Sequence, residues 1–412
     1  MNNPDVVIVG AGIGGGALAT VLARAGLSVV MLEKSLQHKD VVRGEWIAPW
    51  GVAETVELGL YDEYMASGAH RPLYHIDYNE LDSRETSEAK KLDLASVAPE
   101  LPLCLGHPTM CNQLNASAVN AGASLLRGVS RIAVIPGTPP TVTYSHEGQQ
   151  QTLQPRLVVG ADGRNGTVAK QIGKVLMQDP EHHLFSGMLV EGADAWPEDL
   201  QVIGYEDDVN FLAFPQGGGR VRIYIGWPSE QRSRLAGPDG PKRFLEAWNV
   251  DCVPYADAIV NATPISRCIA YPNFDAWVDS PVAEGVVLIG DAAGRNDPIL
   301  GQGQSVTHRD VRLVRNALLD NKQWHSGIFD EYVVERMERM SRLRTIARLT
   351  SLKDSGFDAK GRAMREAMHK RIEDNPDFAV PFAGAFVGPE VLPAEVYSAA
   401  FTEQIAGQPI WS

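Results

Sequence analysis

The sequence is short of the features that mark several large classes of protein. Four cysteines occur in 412 residues: Cys104, Cys111, Cys252 and Cys268. None makes a Cys-x-x-Cys pair and no histidine cluster joins them at zinc spacing, so neither a disulfide framework nor a structural metal site is signalled. Free thiols in a reducing cytosol are the simple reading. The one tight histidine pair, His182-His183, reads as surface polarity. No apolar run reaches the length of a membrane span. The apolar stretch at 6–13 has no basic residue before it, so a secretory signal is the weaker reading and a soluble cytoplasmic protein is expected. Positive charge is scarce too, with 37 Lys and Arg against 51 Asp and Glu, a net charge of −14. Nucleic acid is therefore not an expected partner, because counterion release needs clustered cations. A local basic pocket for an anionic cofactor stays open. No Ser/His/Asp set and no pair of carboxylates stands out.

What is present is an ordinary globular composition, 44% hydrophobic and 21% charged, over a length that suits two or three domains or two intertwined ones. Val6–Val9 reads as a buried parallel strand. It runs into Gly10, Gly12 and Gly15 in G-x-G-x-x-G spacing, then into an Ala-rich helical pattern, and a second strand delivers Glu33. A tight turn without a ligand is one reading. The strand before, the helix after and the acid about 20 residues on favour a dinucleotide site. In that reading Gly10 permits the turn, Gly12 lets a pyrophosphate approach, and Gly15 lets helix and strand pack. The helix N-terminus supplies free N–H groups and a favourable dipole.

Two later segments repeat the strand-then-glycine pattern. LVVGADGRNGTV (157–168) is one; GVVLIGDAAGRNDPILGQGQS (285–305) is the other, followed by a helical pattern with Val311, Val314 and Leu318 on one face. An Asp at a strand end beside a second helix N-terminus suits polyol hydroxyls, and the loop from Pro298 opens a helix whose N–H groups suit an electron-rich ring edge. In this order and spacing the three motifs resemble the single-component FAD aromatic hydroxylases, the flavoprotein monooxygenases of the para-hydroxybenzoate hydroxylase type. The resemblance covers roughly residues 5–320. VVRGEWIAPWGVAETVELGL (41–60) is a softer fourth match, implying an Arg on the flavin at Arg43.

The fold so implied is α/β: a Rossmann-like FAD-binding domain with an inserted antiparallel-sheet substrate domain and a helical C-terminal region. The expected boundaries are 1–75, 100–180 and 265–325 for the FAD domain, 76–99 and 181–264 for the substrate domain, and 326–412 for the helical region. Non-covalent FAD would be held by Gly10, Gly12, Ile13, Gly15, Glu33, Lys34, Arg43, Asp162, Gly163, Gly290 and Asp291, then by Pro298, Gly301, Gln302, Gly303 and Gln304. Pro298 and Arg43 would serve catalysis. NAD(P)H would dock transiently as electron donor, since a second G-x-G-x-x-G unit is missing. The implied reaction inserts one atom of O2 into a small, aromatic substrate through a flavin C4a-hydroperoxide; an epoxidase, a reductase or dehydrogenase of the same fold, or a redox-silent FAD-fold binding protein are the alternatives. The family departs here at Gly294, Ser305, Gly166, Ala169 and Cys111.

Between 184 and 227 several short strand patterns are separated by turns. Alternation in RVRIYIGW sets Arg220, Arg222 and Tyr224 on one face and Val221, Ile223 and Ile225 on the other. The polar face is either solvated or a substrate surface. Substrate contacts are expected from Tyr205, Phe211, Arg222, Tyr224 and Trp46. In 328–372, Val333, Met337, Met340, Leu343 and Ile346 recur at helical spacing, and the arginines at 336, 339, 342, 344 and 348 read as solvated. An irregular packed tail is expected from Asn375, and a monomer or homodimer overall.

Overall fold

The computed structural model describes residues 3–40, 42 and 44–411. Its first sheet has six strands, with Val6–Val9 paired in parallel between Val29–Glu33 and Leu157–Gly160. Ser124–Arg127 and Val286–Leu288 extend it on either side, also in parallel, and Val282–Ala283 closes one edge antiparallel. Val6 and Ile8 pack against Leu18, Leu22, Leu114, Val311 and Val314 from three helices, Ile13–Arg24, His107–Asn120 and Gly303–Asp320. Val7 and Val9 pack on the other face against Val134, Val142 and Tyr144 of a three-stranded antiparallel meander. Both faces are covered, which is why the strand is a continuous apolar run and not an alternating one.

The second sheet has eight strands, centred on His183–Glu191, Arg220–Trp227, Val209–Gly217 and Leu200–Glu206. Tyr74–Asn79 joins Leu200–Glu206 in parallel, so the segment before residue 80 reaches across to the inserted sheet. One face (Phe211, Ala213, Val221, Ile223, Ile225) packs on Phe244, Trp248 and Ile259. The other (Phe185, Leu212, Phe214, Tyr224) packs on Trp46, Ile299 and Met340. The side-chain alternation in 220–227 is as the spacing predicts, but its polar face is not solvated. Arg222 and Tyr224 are buried, and only Arg220 is exposed.

The long helix Asp330–Asp354 lays Met340, Leu343, Ile346 and Ala347 against that second face. Met337, expected on the same stripe, is exposed. The tail beyond Asn375 is more regular than its Pro and Gly content predicts. It forms helices Val380–Val387 and Ala399–Ala406, with Pro381 in the first turn of one and Gly407 in the left-handed cap of the other, where such residues favour a helix. No helix among the described residues is long and apolar enough to cross a membrane.

Candidate active site

Three glycines build the first turn, each for a different reason. Gly10 has φ of +101°, and a Cβ there would collide with Ala161 O. A Cβ at Gly15 would collide with Gly10 O, so the helix could not sit on its strand. Around Gly12 there is nothing within 4 Å of the added atom. Gly12 thus borders open space at the N-terminus of helix Ile13–Arg24, whose first residue Ile13 is buried. Glu33 closes the turn: its Oε2 accepts from Ala11 N at 2.8 Å and its Oε1 from Ser35 N at 2.8 Å. Those bonds aim a buried carboxylate with spare lone pairs at the same edge, while Lys34 stays exposed.

A second helix N-terminus meets the first. A Cβ on Gly14 would lie 3.0 Å from Thr307 Cγ2, in the first turn of helix Gly303–Asp320. Gly303, like Gly12, borders open space. Two helix N-termini therefore flank one cleft, and their free N–H groups favour an anion or an electron-rich edge.

The Gly290-Asp291 turn is held from behind. Gly290 N donates to Asp310 Oδ2 at 2.8 Å, and Asp310 is fully buried between Arg336 Nε (3.0 Å) and Arg339 (2.8 Å). Arg336 also donates to Gly290 O and Gly294 O. The expectation that these arginines are solvated is therefore corrected: helix Asp330–Asp354 turns Arg336 and Arg339 inward, while Arg342 caps Pro389 O and Leu392 O. Their i, i+3 spacing on a helix face is the signal that sequence reading passed over. Asp291, at the cleft side of the turn, lies 4.0 Å from Arg164.

The loop from Pro298 to Gln304 is pinned by its own glutamines. Gln302 accepts from Trp50 Nε1 at 2.8 Å and donates to Leu300 O and Ala385 O, so its side chain is spent and its backbone alone remains for a ligand. Gln304 donates to Gly44 O. Gly301, at φ +67°, has Trp46 directly above it. Ser305 Oγ accepts from Ala48 N at 3.1 Å and fills the space opposite Gly51, where a Cβ would collide with it. Arg43 lies outside the described residues; its neighbours Val42 and Gly44 are described. Cys111, another departure, is buried beside His107.

Asp162 turns back on its own loop, its Oδ2 accepting from Thr167 N (2.6 Å) and Val168 N (3.0 Å). Gly166 is required for this, since a Cβ there would strike the carboxyl group. Gly163 follows in the left-handed region. Burial raises the Asp162 pKa. Several buried polar atoms around the cleft lack a hydrogen-bond partner among the described residues: Asp162 Oδ1, Asn115 Oδ1, Gln304 Oε1 and Arg164 Nε, whose ion pair with Asp291 is long. Unpaired groups of this kind are costly unless something else satisfies them. With open space at Gly12 and Gly303, the residues fit an extended dinucleotide.

A carboxylate pair, absent from the sequence reading, is assembled here. Asp275 Oδ1 accepts from Asn296 Nδ2 (2.7 Å) and Asp297 N (3.0 Å). Asp297 Oδ1 accepts from Ile299 N at 2.9 Å, while its Oδ2 is buried with no partner. Burial first, then mutual repulsion, raises the pKa of Asp297; burial likewise raises that of Asp275. Arg164 opposes the shift at Asp297, and Asp179, itself paired with Arg344, adds to it. A raised carboxyl pKa stabilises the fold below its unfolded value near about 4, and that contribution is lost as pH rises through the folded value. Asp297→Asn is thus expected to flatten the alkaline side of the stability profile, gaining on the parent protein as pH rises from about 5 to about 9. Thermal unfolding across that range checks it; a constant difference at every pH would show that Asp297 is ionised throughout.

The expected substrate residues separate. Tyr224 and Trp46 share one apolar wall with Ile299 of the Pro298–Gln304 loop. Phe211 lies on the opposite face against Trp248, ring centroids 5.3 Å apart, and Leu212 and Phe214 take the wall position. Tyr205 stacks under Arg365, 4.6 Å from its ring centroid, and is not part of the apolar cluster that forms this wall. Arg222 is clamped by Glu45 (2.7 Å) and Asp40 (2.7 Å). His308 is a core residue, bonded to Tyr64 and Gln304 O, and burial pulls its pKa down to about 4.

Among proteins of known activity, squalene epoxidase 3 of Arabidopsis thaliana is 25% identical over 359 residues, 83% of this chain and 66% of that one. A squalene epoxidase of Aspergillus fumigatus is 28% identical over 342 residues, 78% of this chain and 67% of that one. Across eight of the curated relatives it matches, the aligned stretch spans 55–67% of their length. The crystal structure of p-nitrophenol 4-monooxygenase from Pseudomonas putida superposes with a TM-score of 0.73 at 21% identity, covering 98% of this chain and 99% of that one. A family model described as FAD binding domain matches residues 3–346, the stretch that builds both sheets and most of the long helix. The chain belongs to that FAD-binding family, and FAD is the cofactor its cleft accommodates.

Proposed function

We propose that the chain is an FAD-dependent monooxygenase that inserts one atom of O2 into a small, uncharged, largely apolar molecule, with electrons from NADH or NADPH. Bound FAD would supply the redox chemistry and O2 activation. The protein's share is binding, orientation, exclusion of water and control of a proton. Gly10, Gly12, Gly15 and Glu33 are the proposed ADP-side contacts, with Asp162, Gly163 and Asp291 along the chain of the cofactor. Pro298 and the N–H groups of Gly303 and Gln304 are proposed to face the ring. Asp297 Oδ2, next to Pro298 and free of any donor, is the atom proposed to hold a proton there.

The observation that carries the substrate class is the wall of Trp46, Phe185, Leu212, Phe214 and Tyr224, continuous with Ile299 and Leu300 of the flavin loop. Among the described residues, the guanidinium buried beside it, on Arg222, is neutralised by Glu45 and Asp40. A substrate carboxylate would have to break that clamp, at a cost of several kcal/mol, on the order of breaking any buried ion pair. Arenes and alkenes fit better. The relatives named for epoxidation of squalene support an uncharged substrate, and the aromatic alternative rests on the motif resemblance. Phe386 packs on Trp46 and on His75, so helix Val380–Val387 covers the wall and shields it from water.

The test is product analysis. The FAD-loaded protein, given NADH or NADPH and isotopically labelled O2, is offered a panel of uncharged arenes and alkenes. One labelled oxygen per product molecule is expected. Substrate-independent reduction of O2 to peroxide across the panel, or turnover that needs no O2, would replace this reading with an oxidase or a reductase.

A further inference from the structure

The pair His182-His183 does not behave as surface polarity. His183 is 1% exposed and lines a cavity of about 260 Å³ that shares no lining residue with the cofactor motifs. The cavity lies between the start of strand His183–Glu191, the end of helix Asp330–Asp354 and the first turn of helix Ala359–Asp374. Asn273 Nδ2 lies 3.1 Å from His183 Nε2, and with the amide as donor the neutral ring carries its proton on Nδ1. Burial keeps the ring neutral by pulling its pKa down to about 3. That Nδ1–H has no acceptor, and neither has Ser355 Oγ a partner.

Charge in the cavity is unbalanced in one direction. Arg348 donates to Ile410 O and to His182 Nδ1, and no carboxylate among the described residues comes within ion-pair distance of it. Burial lowers its pKa, and the opposing pull comes only at longer range from Asp179, whose carboxylate is paired with Arg344. Lys360 adds a second cation at the exposed rim. Asp358 also lines the cavity, but its carboxylate is engaged as the cap of the helix, accepting from Gly361 N at 2.6 Å. Leu352 and Met364 supply an apolar side. A desolvated cation, a buried neutral N–H donor and an apolar flank are the complement of a carboxylate carried on a short hydrocarbon or ring.

We propose that this cavity is a second ligand site, separate from the cofactor cleft, which binds a small organic monocarboxylate through Arg348, His183 and Ser355. The carboxylate accepts from the guanidinium and from His183 Nδ1, and the hydrocarbon part lies against Leu352 and Met364. The site does not depend on the oxygenase reading, because none of its groups reaches the flavin motifs.

Titration calorimetry on the FAD-loaded protein with benzoate, and separately with inorganic phosphate, tests it. Benzoate is expected to bind, with Arg348→Gln weakening it at least about 10-fold and Lys360→Ala about 3-fold. Lys360 is exposed, so its substitution keeps the test valid if Arg348→Gln, which frees Ile410 O, does not fold. The flavin spectrum is expected to stay unchanged through the titration. Absence of binding, equal affinity in both variants, or a flavin spectral change with the same midpoint would each overturn the proposal. Binding of phosphate in preference to benzoate would overturn the carboxylate assignment.

Discussion

Gly12→Val is expected to give a folded protein that has lost its flavin. The backbone at Gly12 has φ of −72° and ψ of −160°, a conformation open to any residue, and a Cβ there meets nothing within 4 Å. The fold therefore has no reason to resist the substitution, and a stability change within about 1 kcal/mol is expected. The isopropyl group instead occupies the open space at the helix N-terminus, where the proposed site places a pyrophosphate. Loss of that approach is expected to weaken FAD at least about 100-fold, close to 3 kcal/mol. Gly15→Val, three residues on, is the contrasting case, because its side chain would collide with Gly10 O. That variant should fail to fold. Circular dichroism on melting separates the two, and the flavin content of the purified protein measures the effect. A yellow Gly12→Val protein with parental affinity would remove Gly12 from the cofactor site.

The second large effect lies behind the cleft. Asp310→Ala removes the one carboxylate shared by Arg336, Arg339 and the Gly290 N–H group. Replacing a whole buried ion cluster with apolar residues can be neutral, but removing one member leaves uncompensated charge in the core. Two buried guanidinium groups would then face each other, and among the described residues Glu335, on the Arg339 side, is the carboxylate left in ion-pair contact. A loss of about 3–5 kcal/mol is expected in urea unfolding. The Gly290-Asp291 turn also loses its anchor, so flavin release should quicken in the same variant at denaturant concentrations where it remains folded. Asp310→Asn, which keeps an acceptor for Gly290 N, should retain flavin better than Asp310→Ala. Equal stability of parent and Asp310→Ala would mean that the two arginines find other partners.

How much of this was legible beforehand depends on the range of the interaction concerned. The Gly10–Glu33 turn could be read because strand, glycines, helix and acid are consecutive, and each position has a steric role that almost no other residue can fill. The same holds for the two later glycine loops, whose strand ends and helix starts are neighbours in the chain. The alternation of 220–227 also followed from the pleat, which allows only two faces. Which face was buried did not follow, because that is decided by what packs on it. Helix Asp330–Asp354 and the Trp46 segment cover Arg222 and Tyr224 from more than 100 residues away in sequence, and an alternating strand looks the same whether covered or bare.

The buried charges show the limit most clearly. In sequence, Arg336 and Arg339 are two cations among several on a polar helix, and Asp275 and Asp297 are two acids 22 positions apart. A charge is read as solvated unless its partner is known, since burial without a partner is prohibitive. The partners here come from other elements: Asp310 from the preceding helix, and Asn296, just before the Pro298–Gln304 loop, toward Asp275. His183 likewise became a cavity donor only when strand, helix and tail closed around it. The sequence by itself determined the dinucleotide turn and its family, because those rest on local backbone sterics. Only the tertiary structure decided which charges are buried and what they hold, because the energy of a buried charge belongs to its surroundings and not to its neighbours in the chain.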